Sequence, residues 1–385
     1  MDLAPYTLCH LLNDDMDKRF KILHTEWSEG FGGQEMRILL EIHEHLKQGH
    51  RVSLIAPPES PLLKTAKDQG IEVISLKIRH TFDLRALWKI KKILQEKEIE
   101  VLHTHSSVDS WVASLAGKWA DVPVLVRTRH ISVPGKSHLL NKVYSLPDVV
   151  ITTGEQIRQT LIKGYHLAED HVFSIPTGVD TDRFFPRPPD FALKKELGLP
   201  EEALVITLAA VLRAQKRHEL VVAAAPSILK KYPQVRFLFV GEGPRRNLIE
   251  EEIRQNQMGP FFLMTGHRDD IPEILSITDI GLIASEAEGV PQFIFQAMAM
   301  AKPMVATQVG GIPGIMESGI NGLLIPPENP QALAEAVIRL LDDKACAARM
   351  GQKARELITG KYTAGQMAEQ VYQVYLKMFE KKRTV

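Results

Sequence analysis

A chain of 385 residues with 47 basic and 47 acidic side chains is longer than one hydrophobic core usually serves and carries no net charge, so we expect two domains and no nucleic-acid partner. Its two cysteines, Cys9 and Cys346, are too few for a disulfide framework or a metal site of ordinary spacing, and they favour a reducing, cytoplasmic setting. No apolar run approaches the roughly 20 residues of a membrane span and no signal-peptide pattern occurs, so any membrane contact would be peripheral.

The first predicted strand is Phe20–Thr25. Residues 1–15 before it show no hydrophobic period, so we treat them as an appendage to the first fold, with a misassigned start as the alternative. A glycine-containing loop, Glu29–Glu35, follows the strand and leads into an amphipathic helix that ends near Lys47. This order of strand, loop and helix is typical of the start of an α/β domain.

Gly32 and Gly33 in this loop would let the backbone approach a phosphate closely, while a plain tight turn is the alternative. A dinucleotide-binding fingerprint would need a third glycine where Glu35 stands. A Walker loop fails as well, because His130 occupies the place of its first glycine ahead of residues 135–137.

Strands and helices then alternate with short connections, which predicts a parallel sheet covered by helices. The predicted strands are Val52–Ala56, Glu72–Lys77, Val101–His105, Val124–Arg127 and Val149–Thr153, with helices at Leu84–Lys97 and Val108–Ala120. Ligands of open α/β sheets bind at the carboxyl ends of the strands, so polar residues at those ends are candidate site residues.

Histidines and arginines stand at two neighbouring strand ends. His105 ends the fourth strand, and Arg129 and His130 follow the fifth, so we expect all three to face a cleft. His103 lies two positions before His105 and should point to the same side of the strand. One of these two histidines could serve only in packing.

The predicted helix Leu84–Lys97 is basic. Residues 77–142 contain twelve basic and six acidic side chains, with Leu87 and Trp88 among the basic ones. Such a face could rest on an anionic bilayer, and an ordinary solvated helix face fits the pattern equally well.

A proline-rich segment, 173–189, follows and is typical of a stiff linker. The second half repeats the alternation, with strands at Leu204–Ala209, Arg236–Val240, Phe261–Thr265, Ile280–Ala284, Met304–Thr307 and Gly322–Ile325. We therefore place one domain at residues 1–185 and a second at 186–362, with a long helix at 363–382.

Three cations, Arg213, Lys216 and Arg217, stand just after a strand at the start of a predicted helix. The helix macrodipole disfavours cations there, so we expect them to bind an anion. A diphosphate leaving group needs fixed positive charge of this kind. A basic helix cap is the alternative.

The stretch Ser285–Pro327 contains a strand end, a glycine turn, a short helix, a strand, a Gly310-Gly311 turn and another strand. Glu288 would sit at a strand's carboxyl edge, beside free helix N–H groups that suit a phosphate or sugar oxygen. Gln296 stands about two helical turns further on, where it could reach the far end of a ligand. Alternatively, Glu288 is a solvated turn residue and Gln296 a partly exposed helix residue.

This stretch resembles the donor-binding core of retaining glycosyltransferases of family 4, which have the GT-B fold. The family signature is Glu-x7-Glu, an Ala-Met-Ala helix, Pro-Val-Val-Ala-Thr and Gly-Gly-x-Pro-Glu. The chain keeps the first acid as Glu288 and departs from the signature at Gln296 and Gly314. The resemblance extends from about Phe20 onward. It implies two Rossmann-like doubly wound domains that face a cleft, with a terminal helix that crosses back onto the first.

By this resemblance the second domain holds a nucleotide-sugar donor. Lys216 and Arg213 would lie on its diphosphate, Glu288 on the sugar hydroxyls and Gln296 on the ribose. The other residues that we expect beside the donor are Gly32, Gly33, His105, Gly243 and the backbone of Gly289 and Val290. The residues that we expect on the acceptor side are Arg129 and His130.

The resemblance also implies a retaining transfer of the sugar to a glycan or lipid-linked acceptor by front-face displacement, with no cofactor and no essential metal. We expect a role in lipopolysaccharide or other surface polysaccharide synthesis, in the cytoplasm and in peripheral contact with an anionic membrane. Two other functions stay open. One is a nucleotide-sugar 2-epimerase, which shares the fold and needs no acceptor. The other is a non-catalytic nucleotide-sugar-binding protein, because Gln296 and Gly314 break the signature.

Overall fold

The computed structural model describes residues 18–130 and 140–384. The predicted appendage, residues 1–15, lies outside the described residues. Within them the chain forms two parallel sheets, one of seven strands and one of six, and apolar clusters cover both faces of the first sheet. The predicted α/β class with two doubly wound sheets is confirmed. No helix in the described part is long and apolar enough to cross a bilayer.

The first sheet has the strand order β3-β2-β1-β4-β5-β6-β7, and its neighbouring strands are parallel. The strands are β1 (Lys21–Thr25), β2 (Arg51–Ala56), β3 (Glu72–Ser75), β4 (Val101–Thr104), β5 (Val124–Arg129), β6 (Val149–Thr152) and β7 (Val172–Ser174). The helices are α1 (Gly33–Lys47), α2 (Pro61–Asp68), α3 (Leu84–Glu96), α4 (Ser107–Trp119) and α5 (Glu155–Tyr165). The strand order reverses between β1 and β4, which is where open α/β sheets bind ligands.

The second sheet has the order β10-β9-β8-β11-β12-β13 and is also parallel. Its strands are β8 (Leu204–Ala209), β9 (Val235–Val240), β10 (Phe262–Gly266), β11 (Ile280–Ile283), β12 (Met304–Thr307) and β13 (Leu323–Ile325). The helices are α6 (Phe191–Glu196), α7 (His218–Lys231), α8 (Arg246–Gln255), α9 (Ile271–Ser276), α10 (Gln292–Ala299), α11 (Pro330–Asp342) and α12 (Lys344–Lys361). Here the order reverses between β8 and β11, so the ends of these strands form the corresponding edge.

The last helix, α13 (Ala364–Arg383), packs on the first sheet and not on the second. Its buried face joins the core that β1, β5 and α1 form, through Met367, Val371, Tyr372, Val374, Tyr375 and Met378. Burying a large apolar side chain contributes about 1.5–3 kcal/mol, so this face holds the helix on the N-terminal half. Thr363 caps the helix by accepting a hydrogen bond from the Gln366 N–H at 3.1 Å.

The chain passes between its two halves twice, and the two passages lie side by side. The Val179 N–H donates to the Tyr362 carbonyl oxygen, and the Ala364 N–H donates to the Val179 carbonyl oxygen, both at 2.9 Å. Gly178 is required here, because a Cβ atom on it would lie 2.4 Å from the Thr363 carbonyl oxygen. The division expected between residues 185 and 186 falls in the irregular segment between β7 and α6.

Candidate functional site

Glu288 lies in the turn between β11 and α10, at the carboxyl edge of the second sheet. Its side chain is 8% exposed, and its Oε1 atom accepts from Lys216 Nζ at 2.5 Å and from Ser285 Oγ at 2.6 Å. Thr307 Oγ1 donates to the Ser285 carbonyl oxygen at 2.6 Å, which ties the turn to β12. An ion pair and a hydroxyl group therefore fix the carboxylate through one oxygen, and Oε2 accepts from no described residue.

The Gly310-Gly311 turn packs directly on the Glu288 loop. A Cβ atom on Gly310 would lie 1.7 Å from the Glu288 carbonyl oxygen, and the φ of Gly310 is +56°. The Gly311 N–H donates to the Gly289 carbonyl oxygen at 2.8 Å, and a Cβ atom on Gly311 would lie 2.6 Å from that oxygen. Both glycines are required for this close approach. A Cβ atom on Gly314, where the family signature has Glu, would meet nothing within 4 Å.

The backbone N–H groups of Glu288, Gly289 and Val290 donate to no described residue. Gly289 is exposed, and a Cβ atom on it would meet nothing within 4 Å. Pro291 follows as the N-cap of α10, so the three N–H groups lie next to the positive end of a helix. This backbone can donate hydrogen bonds to sugar or phosphate oxygens.

Gln296 lies on α10 and is only 5% exposed, so the alternative of a partly exposed helix residue is wrong. The helix begins at Gln292, which places Gln296 about one turn inside it and not two helical turns from Glu288. Its neighbours Phe295 and Ala297 belong to an apolar core cluster. The Gln296 side chain has no hydrogen-bond partner among the described residues, and its contact with a ribose stays a prediction.

Two of the three cations expected to bind an anion already have carboxylate partners. Arg217 lies 2.8 Å from Glu286 and 3.3 Å from Glu219, and it also pairs with Glu328. Protein carboxylates already balance the charge of Arg217, and its binding of an anion stays a prediction. Lys216 in turn pairs with Glu288. The macrodipole argument thus does not require a bound anion at this helix.

Arg213 differs from these two cations. It precedes the short 3-10 helix Ala214–Lys216, is exposed, and makes no ion pair with any described residue. It is held beside the Glu288 loop, because the Glu286 N–H donates to the Gln215 carbonyl oxygen at 2.9 Å. Arg213 can therefore turn toward a diphosphate without breaking a protein contact.

Gly243 packs the loop after β9 against the loop after β8. A Cβ atom on it would lie 2.5 Å from the Leu212 carbonyl oxygen, and the Leu212 N–H donates to the Glu242 carbonyl oxygen at 2.9 Å. The structure thus gives Gly243 a packing role next to Arg213, and its contact with the donor stays a prediction.

Gly32 and Gly33 begin α1 at the edge of the first sheet. The Gly32 N–H donates to Glu35 Oε2 at 2.7 Å, and a Cβ atom on Gly33 would meet nothing within 4 Å. Protein packing does not require either glycine, since a Cβ atom on Gly32 would come only within 3.7 Å of Glu35. The space in front of this loop is therefore open to a ligand.

Histidines fill the edge of the first sheet. His24 Nδ1 lies 2.9 Å from His105 Nε2, and His105 Nδ1 lies 3.2 Å from His130 Nε2. The rings of His103 and His105 stack with centroids 4.4 Å apart, as expected for side chains on one side of a strand. His105 was expected to face a cleft, but it is buried because His24 and His130 cover both of its ring nitrogens. Its place near a donor sugar stays a prediction.

The same histidines connect the edge to the core. His103 Nδ1 lies 2.6 Å from the Tyr375 hydroxyl group, which donates to Glu41 Oε1 at 3.1 Å. His103 Nε2 lies 2.7 Å from Thr128 Oγ1. Burial lowers the pKa of each histidine at this edge well below its ordinary value, namely His24, His103, His105 and His130. These rings are therefore neutral at pH 7.

Arg127 and Arg129 lie on one side of β5, opposite Thr128. Arg127 is buried, stacks on the Tyr144 ring at 4.2 Å, and its Nε and Nη1 atoms have no partner among the described residues. Burial lowers the pKa of Arg127 to about 10. Arg129 is half-buried and makes no ion pair with a described residue. Residues 131–139, which follow, contain no aspartate or glutamate.

Two sets of described side chains have metal-ligand spacing, with ligand atoms within 4.8 Å of one another: His24, His103 and His105, and His24, Glu41 and His45. In the first set, His103 and His105 use both ring nitrogens in hydrogen bonds. In the second set, Arg37 Nε lies 3.8 Å from Glu41 Oε2 and balances its charge. Neither set lies in the Glu288 loop.

Buried carboxylates at the first sheet's edge were missed by the sequence analysis. Asp109 Oδ2 accepts from Thr25 Oγ1 at 2.8 Å and from the His105 N–H at 3.0 Å. Burial and the neighbouring Glu26 carboxylate raise the pKa of Asp109 to about 8. Both acids had a usable signal, since Glu26 follows β1 and Asp109 lies in the first turn of α4.

Two family models match the chain. The model described as Glycosyltransferase Family 4 matches residues 31–183, and the model described as Glycosyl transferases group 1 matches residues 190–357. Together they cover the second sheet and all of the first except β1, in the order that the resemblance predicted.

Curated relatives match over most of the chain at low identity. An Escherichia coli UDP-Gal:alpha-D-GlcNAc-diphosphoundecaprenol alpha-1,3-galactosyltransferase is 24% identical over 94% of this chain and 98% of its own length. A Bacillus anthracis N-acetyl-alpha-D-glucosaminyl L-malate synthase is 26% identical over 76% of this chain and 79% of its own.

Solved structures match the fold. A Rickettsia africae glycosyltransferase superposes with a TM-score of 0.83 at 22% identity, over 94% of this chain and 98% of its own. The Anabaena protein HepE, solved in complex with UDP and glucose, has a TM-score of 0.82 at 20% identity, over 93% of this chain and 100% of its own. The expected GT-B fold is thereby confirmed.

Proposed function

This chain belongs to the glycosyl transferases of group 1 and is a glycosyltransferase, and we propose that it moves a sugar from a nucleoside diphosphate sugar to a lipid-linked or glycan acceptor with retention of configuration. The observation that carries the proposal is the Glu288 loop. There a fixed carboxylate lies beside Lys216 and next to three backbone N–H groups that donate to no described residue.

On this proposal each group of the loop has one task. Glu288 Oε2 accepts hydrogen bonds from sugar hydroxyl groups, and the N–H groups of Gly289 and Val290 donate to the sugar or to the β-phosphate. Lys216 and Arg213 lie on the diphosphate, and Gln296 reaches the ribose. HepE, a structural neighbour, was solved with UDP, which supports a nucleoside diphosphate as the donor's leaving group.

The chemistry follows from the charges. The bond between the anomeric carbon and the β-phosphate oxygen breaks, and negative charge develops on that oxygen. Fixed cations stabilise this charge without rearranging. The leaving phosphate oxygen takes the proton of the acceptor hydroxyl group, and the acceptor oxygen bonds to the anomeric carbon on the face that the phosphate leaves. No protein carboxylate needs to act as a nucleophile, and Lys216 and Arg213 take the role that a metal ion would otherwise have.

The edge of the first sheet faces the acceptor in this proposal. Arg129 is half-buried and has no carboxylate partner among the described residues, so it suits an acceptor that carries an anionic group. The Escherichia coli relative acts, by its name, on a diphosphoundecaprenol-linked sugar. We therefore favour a phosphate-linked lipid acceptor, in lipopolysaccharide or other surface polysaccharide synthesis on the cytoplasmic side of a membrane, with His130 beside the acceptor.

The proposal is tested by incubating the protein with UDP-, GDP-, ADP- and CMP-sugars, with and without a polyprenyl diphosphate-linked saccharide. We expect one donor to raise the melting temperature and, with acceptor, to release nucleoside diphosphate and give a product of unchanged anomeric configuration by NMR. A ligand at 100 times its Kd adds roughly 2.7 kcal/mol of stability. An inverted product would overturn retention, and an epimer formed from donor alone would identify a 2-epimerase.

Lys216→Ala provides the residue-level test. A hydrogen bond to a charged group contributes about 1.5–3 kcal/mol, so affinity for the nucleoside diphosphate should fall roughly 10- to 100-fold while affinity for the bare nucleoside is unchanged. Lys230→Ala, at an exposed position on α7, is the matched control and should leave both affinities as they are. Equal weakening of nucleoside and diphosphate would contradict the assignment of Lys216 to the phosphates.

A further inference from the structure

Helices α3 and α4 carry an exposed aromatic and aliphatic surface that the proposed transfer does not use. Phe82 is 76% exposed, Leu84 68%, Trp88 56% and Trp119 50%, and Leu115 is also exposed. Leu84 and Trp88 are four residues apart on α3, and Leu115 and Trp119 are four apart on α4, so each pair shares a helix face. The Trp88 and Trp119 rings touch, with centroids 4.5 Å apart. Leu84, Trp88, Leu115 and Trp119 therefore form one patch, and Phe82 lies two residues before Leu84 on the chain. These five residues are called the aromatic face below.

Basic side chains border the aromatic face. Arg85, Lys89, Lys91 and Lys92 all lie on α3, and the helix has no carboxylate from Leu84 to Gln95. Lys91 Nζ lies 4.2 Å from the Trp119 ring centroid and 5.2 Å from that of Trp88. The other side of α3 is ordinary core, formed by Ala86, Leu87, Ile90 and Leu94. The helix is therefore buried on one side and presents tryptophans among cations on the other.

We propose that the aromatic face docks the protein on an anionic lipid bilayer. Tryptophan rings bury their apolar part at the bilayer interface, and the lysines bind anionic headgroups. The charge selects this occupant. Lys92 pairs with Glu96 at 3.4 Å, whereas Arg85, Lys89 and Lys91 make no ion pair with a described residue, so the surface keeps a net positive charge that repels a basic partner and attracts an anionic one. The choice of a lipid bilayer as the occupant rests on the proposed function, because a bilayer would present the lipid-linked acceptor.

The position of the aromatic face relative to the site fits this role. Trp119 ends the helix that begins at Ser107, two residues after His105. Twelve residues of α-helix span about 18 Å. The Trp119 end of the aromatic face therefore lies about 18 Å along α4 from the edge of the first sheet, a separation that a lipid-linked acceptor must bridge.

Flotation with vesicles tests the docking. The wild-type protein should bind vesicles that contain phosphatidylglycerol, bind phosphatidylcholine vesicles far less, and dissociate as salt is raised. Each basic residue near an anionic surface contributes about 1 kcal/mol, so Lys89→Gln/Lys91→Gln/Lys92→Gln should weaken binding on the order of 100-fold. Trp88→Ser/Trp119→Ser should abolish the blue shift of tryptophan fluorescence that vesicles induce.

Matched controls remove equal exposed groups elsewhere. Phe191→Ser/Leu248→Ser deletes two exposed apolar side chains of α6 and α8, and Lys67→Gln/Lys195→Gln/Lys230→Gln removes three exposed lysines outside α3. Both controls should bind vesicles as wild type does. Loss of binding in the controls, or its retention in the α3 variants, would overturn the assignment of the aromatic face, and so would capture of an acidic protein in place of vesicles.

The docking and the proposed function can fail separately. Transfer to a short, water-soluble acceptor should be unchanged in the α3 variants, whereas transfer to a vesicle-embedded acceptor should fall with vesicle binding. A wild-type protein that transfers sugar but binds no vesicle overturns the docking alone. A protein that binds vesicles through this face but transfers no sugar from any donor overturns the proposed function alone.

Discussion

At the carboxyl edge of the second sheet, Lys216 pairs with Glu288 and Arg217 pairs with Glu219 and Glu286. At the corresponding edge of the first sheet, neutral histidine rings hydrogen-bond to one another. Both edges lie where the strand order of a parallel sheet reverses. They differ in exposure, since the Lys216 side chain is 24% exposed whereas His24 is fully buried.

The comparison shows how burial selects the chemistry of an edge. A partly solvated edge can keep charges if opposite charges lie within about 4 Å, but a buried edge favours neutral forms because desolvation penalises charge. The second edge is therefore suited to binding a charged diphosphate. The first edge is suited to hydrogen bonding and to proton transfer between uncharged side chains at pH 7.

The largest expected difference between the two edges is the loss of local stability in acid. The histidines of the first edge have pKa values well below 6.5 when folded and about 6.5 when unfolded, so the unfolded state binds more protons. Stability is then full above pH 6.5 and is lost as pH falls, by up to about 1.4 kcal/mol per pH unit for each histidine. Hydrogen exchange from pH 7 to 5 should show β1 and β4 losing protection before β8 and β11.

A variant pair tests the cause of this acid sensitivity. His24→Asn should reduce the pH dependence of protection in β1, because it removes one buried ring that must stay neutral. His80→Gln replaces an exposed histidine and should leave the dependence unchanged. If β8 and β11 open first in acid, the histidine cluster is not the acid-sensitive part of the molecule.

The next largest expected effect is at the second edge, where one methyl group added to the Gly310-Gly311 turn should disturb the Glu288 loop. Gly310→Ala would place a Cβ atom 1.7 Å from the Glu288 carbonyl oxygen at a φ of +56°, so the turn must move and carry the Glu288 loop with it. We expect a loss of about 3 kcal/mol in the free energy of unfolding, with loss of donor binding. Gly314→Ala, four residues along the same segment, is the control and should affect neither quantity. Normal donor affinity in Gly310→Ala would show that the turn does not position Glu288.

The smallest expected effect concerns the amide in place of the family's second acid. If Gln296 accepts from the ribose hydroxyl groups, Gln296→Leu leaves them unpaired and should weaken donor binding by roughly 1–3 kcal/mol. Gln296→Glu should tighten binding or leave it unchanged, since hydrogen bonds to a carboxylate are about twice as strong as neutral ones. The measurement is calorimetry with a nucleoside diphosphate and its 2′-deoxy analogue. Wild-type affinity of Gln296→Leu for both ligands would exclude Gln296 as the ribose ligand.

Local patterns in the sequence were enough to predict the sheets and the position of the Glu288 loop. Strand alternation, the glycine turns and the proline-rich linker each arise from neighbours in the chain. These patterns placed Glu288 at a strand end, where the structure has it. They did not show that Gly310 is required and Gly314 is not, because two glycines look alike in a sequence. Only the resemblance to the family marked Gly314 as a departure. The short strand β7 has three residues and showed no period.

The partners of charged side chains could not be predicted in the same way. Arg217 meets Glu286 and Glu328, which lie on loops 69 and 111 residues away in the chain, so its neutralisation was invisible to the macrodipole argument. The burial of His105 likewise depends on His24, 81 residues earlier. Burial and pairing are properties of the assembled edge, and no spacing within one segment encodes them.

The packing of α13 on the first sheet has a consequence for how the protein is made. A ribosome releases the chain from its N-terminal side, so residues 364–383 emerge only after every strand of the second sheet. Until then the Glu41 carboxylate and the His103 ring lack the Tyr375 hydroxyl group, and the apolar groove for α13 stays open. The half that leaves the ribosome first is therefore completed last, after the half that follows it in the sequence.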